Sequence, residues 1–125
     1  MILDTNALSA LADGDGALEP VLRQATEMAI PVIVLGEYQF GIRRSRNRKA
    51  YERWLAEMTA ACRVLAVDES TAGLYAEVRD ELKHSGRPMP SNDLWIAALV
   101  RQYGLPLLSR DGHFDFVAGL KRIGW

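Results

Sequence analysis

Four acidic residues sit where apolar strand-like runs end or apolar helices begin. Asp4 closes the run Met1-Ile2-Leu3, and Glu37 follows Ile30-Pro31-Val32-Ile33-Val34-Leu35. Asp93 opens the apolar stretch Leu94-Trp95-Ile96-Ala97-Ala98-Leu99, and Asp111 follows Leu107-Leu108-Ser109-Arg110. In a parallel α/β sheet such positions gather at one edge, outside the carboxyl ends of the strands. Carboxylates brought together there repel one another, and desolvation adds to the cost. A hard cation with oxygen ligands, such as Mg²⁺, relieves both penalties. The pattern points to an α/β fold with a divalent-metal centre of the kind that hydrolyses phosphodiesters.

The rest of the chain reads consistently with that fold. Residues 1–3 form a first strand, and Thr5 or Asn6 caps the helix carrying Leu8 and Leu11. A second helix is expected over about 17–29, where Pro20 fits only in the first turn. Residues 30–34, nearly all apolar and β-branched, predict a buried strand, which puts Glu37 in the first turn of the next helix. Asn47 caps a helix over 48–61, and 63–67 forms a third strand. A longer helix runs to about residue 85, followed by the loop Gly86-Arg87-Pro88-Met89-Pro90. Ser91 caps a helix ending at Gly104, residues 106–109 form a fourth strand, and 120–125 adds an edge strand. The expectation is one domain over 1–125: a three-layer sandwich with a four- or five-stranded, mainly parallel sheet and helices on both faces.

Composition narrows the setting. A chain of 125 residues buries roughly two-thirds of its unfolded surface, enough for a real core. The formal net charge is −1, so no whole-molecule field selects a nucleic-acid partner. The local distribution is less neutral. Arg43, Arg44, Arg46, Arg48, Lys49 and Arg53 crowd into eleven residues with Glu52 as the sole acid, a patch able to hold phosphates or simply to face solvent. Cys62 has no partner for an internal disulfide and reads as a buried apolar residue in a reducing compartment. The N-terminus enters a strand without a leader pattern, and no apolar stretch approaches the ~20 residues of a membrane span. A cytoplasmic location without a membrane role is expected.

Each acid also has a bland explanation. Asp4-Thr5-Asn6 could be an ordinary capping turn, and a carboxylate at 37 could answer a helix dipole. Turn chemistry accounts for Asp111-Gly112, a helix cap or surface role for Asp115, and a surface position for His113. Four acids at four separate junctions of one sheet are more specific than any of them alone. Carboxylate-only ligation favours Mg²⁺ or Mn²⁺ over zinc, which prefers His and Cys. A receiver-type phosphoacceptor domain needs a lysine after a late strand, where this chain has Arg110-Asp111. A dehalogenase-type phosphatase needs Asp-x-Asp, and residue 6 is Asn.

The segments Ile2-Leu3-Asp4-Thr5-Asn6, Gly36-Glu37, Asn92-Asp93-Leu94-Trp95-Ile96-Ala97-Ala98 and Leu108-Ser109-Arg110-Asp111, with Phe114-Asp115 behind, resemble PIN-domain ribonucleases, and more narrowly VapC-type toxins of toxin–antitoxin pairs. The resemblance spans essentially the whole chain. It implies Asp4, Glu37, Asp93 and Asp111 as ligands for Mg²⁺ or Mn²⁺, with Asn6 and Ser109 supporting the pocket and Asp115 where some members carry a further acid. It implies endonuclease action on RNA (tRNA or rRNA among the candidates) by metal-activated water, with Arg43, Arg44, Arg46 or Arg48 on flanking phosphates. It also implies a homodimer and a cognate antitoxin. The competing reading is a catalytically silent module that keeps the fold and binds RNA or a protein.

Overall fold

The computed structural model describes the whole chain, Met1–Trp125. Five short strands form one parallel sheet: β1 (Ile2–Leu3), β2 (Ala29–Pro31), β3 (Arg63–Leu65), β4 (Leu107–Leu108) and β5 (Arg122–Ile123). Their order is β3-β2-β1-β4-β5. Successive strand residues point to opposite faces. Ile2, Leu3, Leu107 and Leu108 are nevertheless all fully buried, so both faces are covered at the sheet centre. The covering helices are α1 (Thr5–Ala12), α2 (Glu19–Leu22), α3 (Val32–Ile42), α4 (Arg48–Ala61), α5 (Glu69–His84) and α6 (Ser91–Tyr103). Single 3₁₀ segments occupy Gly16–Leu18 and Gly112–Phe116. None of the helices is long and apolar enough to cross a membrane.

The strand order fixes where chemistry can sit. From β1 the chain winds outward through β2 to β3, then returns to pair β4 on the other side of β1 and continues outward to β5. The winding direction reverses between β1 and β4. With right-handed crossovers the helices before and after the reversal cover opposite faces. They therefore leave a crevice beyond the carboxyl ends of β1 and β4. Asp4 and Ser109 are the first residues past those ends. The floor is rigid: Leu3, Leu8, Ile96, Leu99, Leu108 and Phe114 are at most 1% exposed, and burying each contributes about 1.5–3 kcal/mol.

Three local expectations are corrected. The strand expected over 30–34 is Ala29–Pro31, and α3 begins at Val32. Pro31 has no N–H to continue a ladder, and its φ of −60° with ψ of 142° suits the residue before a helix. Val34, Tyr38 and Ile42 are buried while Val32 is 44% exposed, which is helical and not alternating burial. Glu37 is consequently the sixth residue of α3, beyond reach of a first-turn dipole argument. The helix expected over 17–29 shrinks to the 3₁₀ turn and α2, with Pro20 in the first turn. Finally, Thr5 and Asn6 do not cap α1, nor does Ser91 cap α6. Asp4 caps α1 itself, and Ser91 is the first residue of α6, behind Pro90.

Candidate metal and catalytic centre

Asp4 leaves the end of β1 and is only 5% exposed. Its Oδ1 accepts from the Ala7 amide at 2.8 Å, which both caps α1 and fixes the carboxylate. Ser109, fully buried past β4, hydrogen-bonds the same carboxylate and also accepts from the Asp111 amide at 3.0 Å. One hydroxyl therefore ties together the residues that follow the two central strands. Burial pushes the Asp4 carboxyl above its ordinary value. The Ser109 and Ala7 hydrogen bonds oppose that shift, and the charges of Asp111 and Glu37 reinforce it.

Glu37 reaches this place from α3. Its Oε1 accepts from the Thr5 hydroxyl at 2.9 Å, so the residue after Asp4 orients the second acid. Glu37 itself is half-buried, between the buried Tyr38 and the exposed Phe40. Asp93 lies in the first turn of α6, where the helix dipole favours a carboxylate. Its carboxyl is nevertheless raised, first by desolvation, with Asp111, Glu37 and Asp4 adding repulsion and His113 opposing it. The four acids thus act on one another electrostatically although four different elements supply them.

His113 was expected at the surface and is a member of the centre. Its Nδ1 lies 3.1 Å from Asp111 Oδ1, and its Nε2 lies 3.1 Å from Asp93 Oδ2. The Nε2 contact is out of line for a hydrogen bond, which leaves that buried nitrogen without a partner. The one available signal was its spacing, two residues past Asp111 in a turn.

The donor set fits a divalent cation. One donor atom each from Asp93, Asp111 and His113 lie within 4.8 Å of one another. Two oxygen ligands facing each other across a Mg²⁺ ion stand about 4.2 Å apart, so small rotations suffice. The orphaned Nε2 and two carboxyls held above their ordinary range are what such an ion would satisfy.

Other expected members stand outside the cluster. Asn6 is exposed on α1. Asp115 is held by Arg122 through Oδ1 and Oδ2 at 2.8 and 2.9 Å, and that guanidinium also donates to the Ser109 carbonyl at 3.1 Å. Asp115 therefore braces the β4–β5 end. The basic run joins α3 to α4. Arg48 pairs with Glu52, whereas Arg43, Arg44 and Arg46 are exposed and form no ion pair. From Glu37 to Arg43 is about 9 Å along the helix axis. A groove of about 580 Å³ runs between α3 and α4, lined in part by Leu35, Gln39, Arg43, Glu52 and Leu55, and Asp4, Glu37, Asp93 and Asp111 do not border it.

Comparison with known proteins decides the family. The model of the family described as PIN domain matches residues 1–120. The chain belongs to the PIN-domain family. Within it the resemblance is to the VapC type. Ribonuclease VapC5 of Mycobacterium tuberculosis is 32% identical over 123 residues, covering 94% of this chain and 87% of the relative. A solved VapBC-5 toxin–antitoxin structure from the same organism superposes with a TM-score of 0.77 at 29% identity, covering 99% of this chain and 97% of the other. VapBC-1 from nontypeable Haemophilus influenzae gives 0.87 at 25% identity, covering 99% and 96%. The PIN-like sandwich expected with a four- or five-stranded, mainly parallel sheet is the fold observed, with five strands, all parallel.

Proposed function

We propose that this PIN domain is a divalent-metal-dependent endoribonuclease and the toxin of a VapBC-type pair. The observation that carries the reading is the convergence of four acids on the β1/β4 crevice, where Asp111 and Glu37 raise the Asp4 carboxyl and Asp111, Glu37 and Asp4 raise that of Asp93. One helix cap at Asp4 and one helix dipole at Asp93 do not account for gathering four like charges, which repel one another and lose solvation. That is the argument against the silent-module alternative. The relatives named ribonuclease and the neighbours solved as toxin–antitoxin complexes support the reading. A cytoplasmic location, a cognate antitoxin and a homodimer belong to the same proposal.

Asp93, Asp111 and His113 would hold the ion, with Asp4 and Glu37 completing the acidic wall. Such an ion, Mg²⁺ or Mn²⁺, supplies Lewis acidity: it acidifies water and offsets charge on a phosphate. The chain supplies position. Ser109 and the Ala7 amide hold Asp4, and Thr5 holds one oxygen of Glu37, leaving the other free to orient the attacking water. Arg43, Arg44 and Arg46, free of acidic partners, would grip phosphates flanking the cut, and Arg48 would join them if released from Glu52. The test is incubation with total cellular RNA and Mn²⁺ or Mg²⁺, with and without EDTA, followed by mapping of new 5′ ends. Cleavage that EDTA stops, and that Asp93→Asn or Asp111→Asn abolishes in a folded protein, supports the proposal. Cleavage retained in both variants sinks it.

A further inference from the structure

Phe116 is half exposed on the 3₁₀ segment that also carries His113. Residues i and i+3 eclipse one another in a 3₁₀ helix, so the two rings share one side of that segment. At about 2.0 Å rise per residue they are about 6 Å apart along it, close to the spacing of consecutive nucleotides in an extended strand. His113 touches both Asp93 and Asp111, which sets Phe116 on the rim of the acidic centre.

One face of the Phe116 ring is already covered. The Arg87 guanidinium carbon stands 3.8 Å from the ring centroid. Arg87 makes no ion pair, and its backbone is fixed. Gly86, at φ +70°, ends α5 in a Schellman motif: the Arg87 amide donates to Leu82 at 2.9 Å and the Gly86 amide to Lys83 at 3.2 Å. Pro88 and Pro90 stiffen the chain from there into α6. The guanidinium is thus held over Phe116 by a structured turn. Lys83 and Arg79, exposed one and two helical turns earlier on α5, also lack acidic partners. Together they form a cationic approach beside a centre that, by itself, repels a polyanion.

We propose that Phe116 and Arg87 form a stacking platform for an unpaired nucleobase of the RNA, next to the phosphate held at the acids, with Lys83 and Arg79 following the backbone away from it. The inference rests on the endoribonuclease reading. A planar, uncharged face backed by a guanidinium suits a base of any identity, whereas a paired base has no free face to offer. The platform accordingly selects single-stranded over duplex substrate. Phe116 and Arg87 are substrate-positioning residues and take no part in proton transfer.

The test uses a fluorescent 12-nucleotide single-stranded oligoribonucleotide, the same sequence as a duplex, and Mn²⁺. Phe116→Ala should raise KM, and the dissociation constant measured in an Asp93→Asn background, by about 10- to 100-fold, with kcat little changed. Its preference for single strand over duplex should fall. Phe116→Trp should restore affinity, and its indole fluorescence should be quenched on binding. Arg87→Ala should behave as Phe116→Ala does. Equal RNA affinity for Phe116→Ala and wild type, or failure of Trp to rescue, overturns the platform. So does loss of binding to the co-expressed antitoxin with RNA affinity intact, which would reassign the surface to a peptide. If wild type itself neither binds nor cuts RNA, the failure belongs to the endoribonuclease reading.

Discussion

Replacing Asp4 with asparagine separates the cost of the acidic centre from its purpose. Asn is as good a helix cap as Asp, so the Ala7 contact survives through the amide oxygen. What disappears is a buried negative charge. Two unit charges about 6 Å apart at an effective dielectric near 20 repel by about 3 kcal/mol. Asp111 is 45% exposed, so solvent screens much of its share. Against this, Ser109 and Ala7 lose the extra strength of bonds to a charged acceptor, about 1 kcal/mol each. The raised Asp4 carboxyl gives the sign: repulsion and desolvation outweigh the hydrogen bonds. The variant should therefore be more stable than wild type without metal, by about 1 kcal/mol, or about 3–6 °C in Tm. A carboxyl raised in the folded state favours folding below its unfolded value, and that contribution is lost as pH rises through the folded one. The advantage of Asp4→Asn should thus be largest at neutral pH and shrink to nothing as the pH falls to the ordinary carboxylate value. Melting curves in EDTA across this range are the assay. Added Mn²⁺ should reverse the order by stabilising wild type more. A variant that melts at or below wild type in EDTA at neutral pH, or whose advantage persists in acid, refutes the reasoning.

Thr5→Val removes the hydroxyl that orients Glu37 and should lower kcat about tenfold with an unchanged circular dichroism spectrum. His113→Gln should weaken Mn²⁺ more than Mg²⁺ in calorimetric titration, since imidazole suits the transition metal; equal losses would count against a ligand role. Asp115→Asn breaks an exposed pair with Arg122 and should cost at most about 1 kcal/mol, with RNA cleavage retained.

Much of the centre was legible before any coordinates. Asp4 and Asp111 stand out because parallel strands end at a common edge and these acids lie one and three residues past β1 and β4. Glu37, six residues past β2, and Asp93, in the first turn of α6, stand out as acids beside apolar runs. Helices α4, α5 and α6 were equally plain, since 3.6-residue periodicity and terminators such as Gly86 and Gly104 are local properties. The apolar run at 30–35 was not, because a β-branched composition suits both states. There Pro31 and the core positions of Val34, Tyr38 and Ile42 settled the matter.

The roles of individual side chains needed the tertiary structure. Nothing in the spacing of Thr5 and Glu37, 32 residues apart, predicts their hydrogen bond. Nor does sequence tell His113, drawn between two carboxylates, from Asp115, drawn away by Arg122. Local sequence determines which residues reach the sheet edge, because periodicity and chain geometry are short-range. Which of them then face one another depends on how distant elements pack, and only the fold decides that.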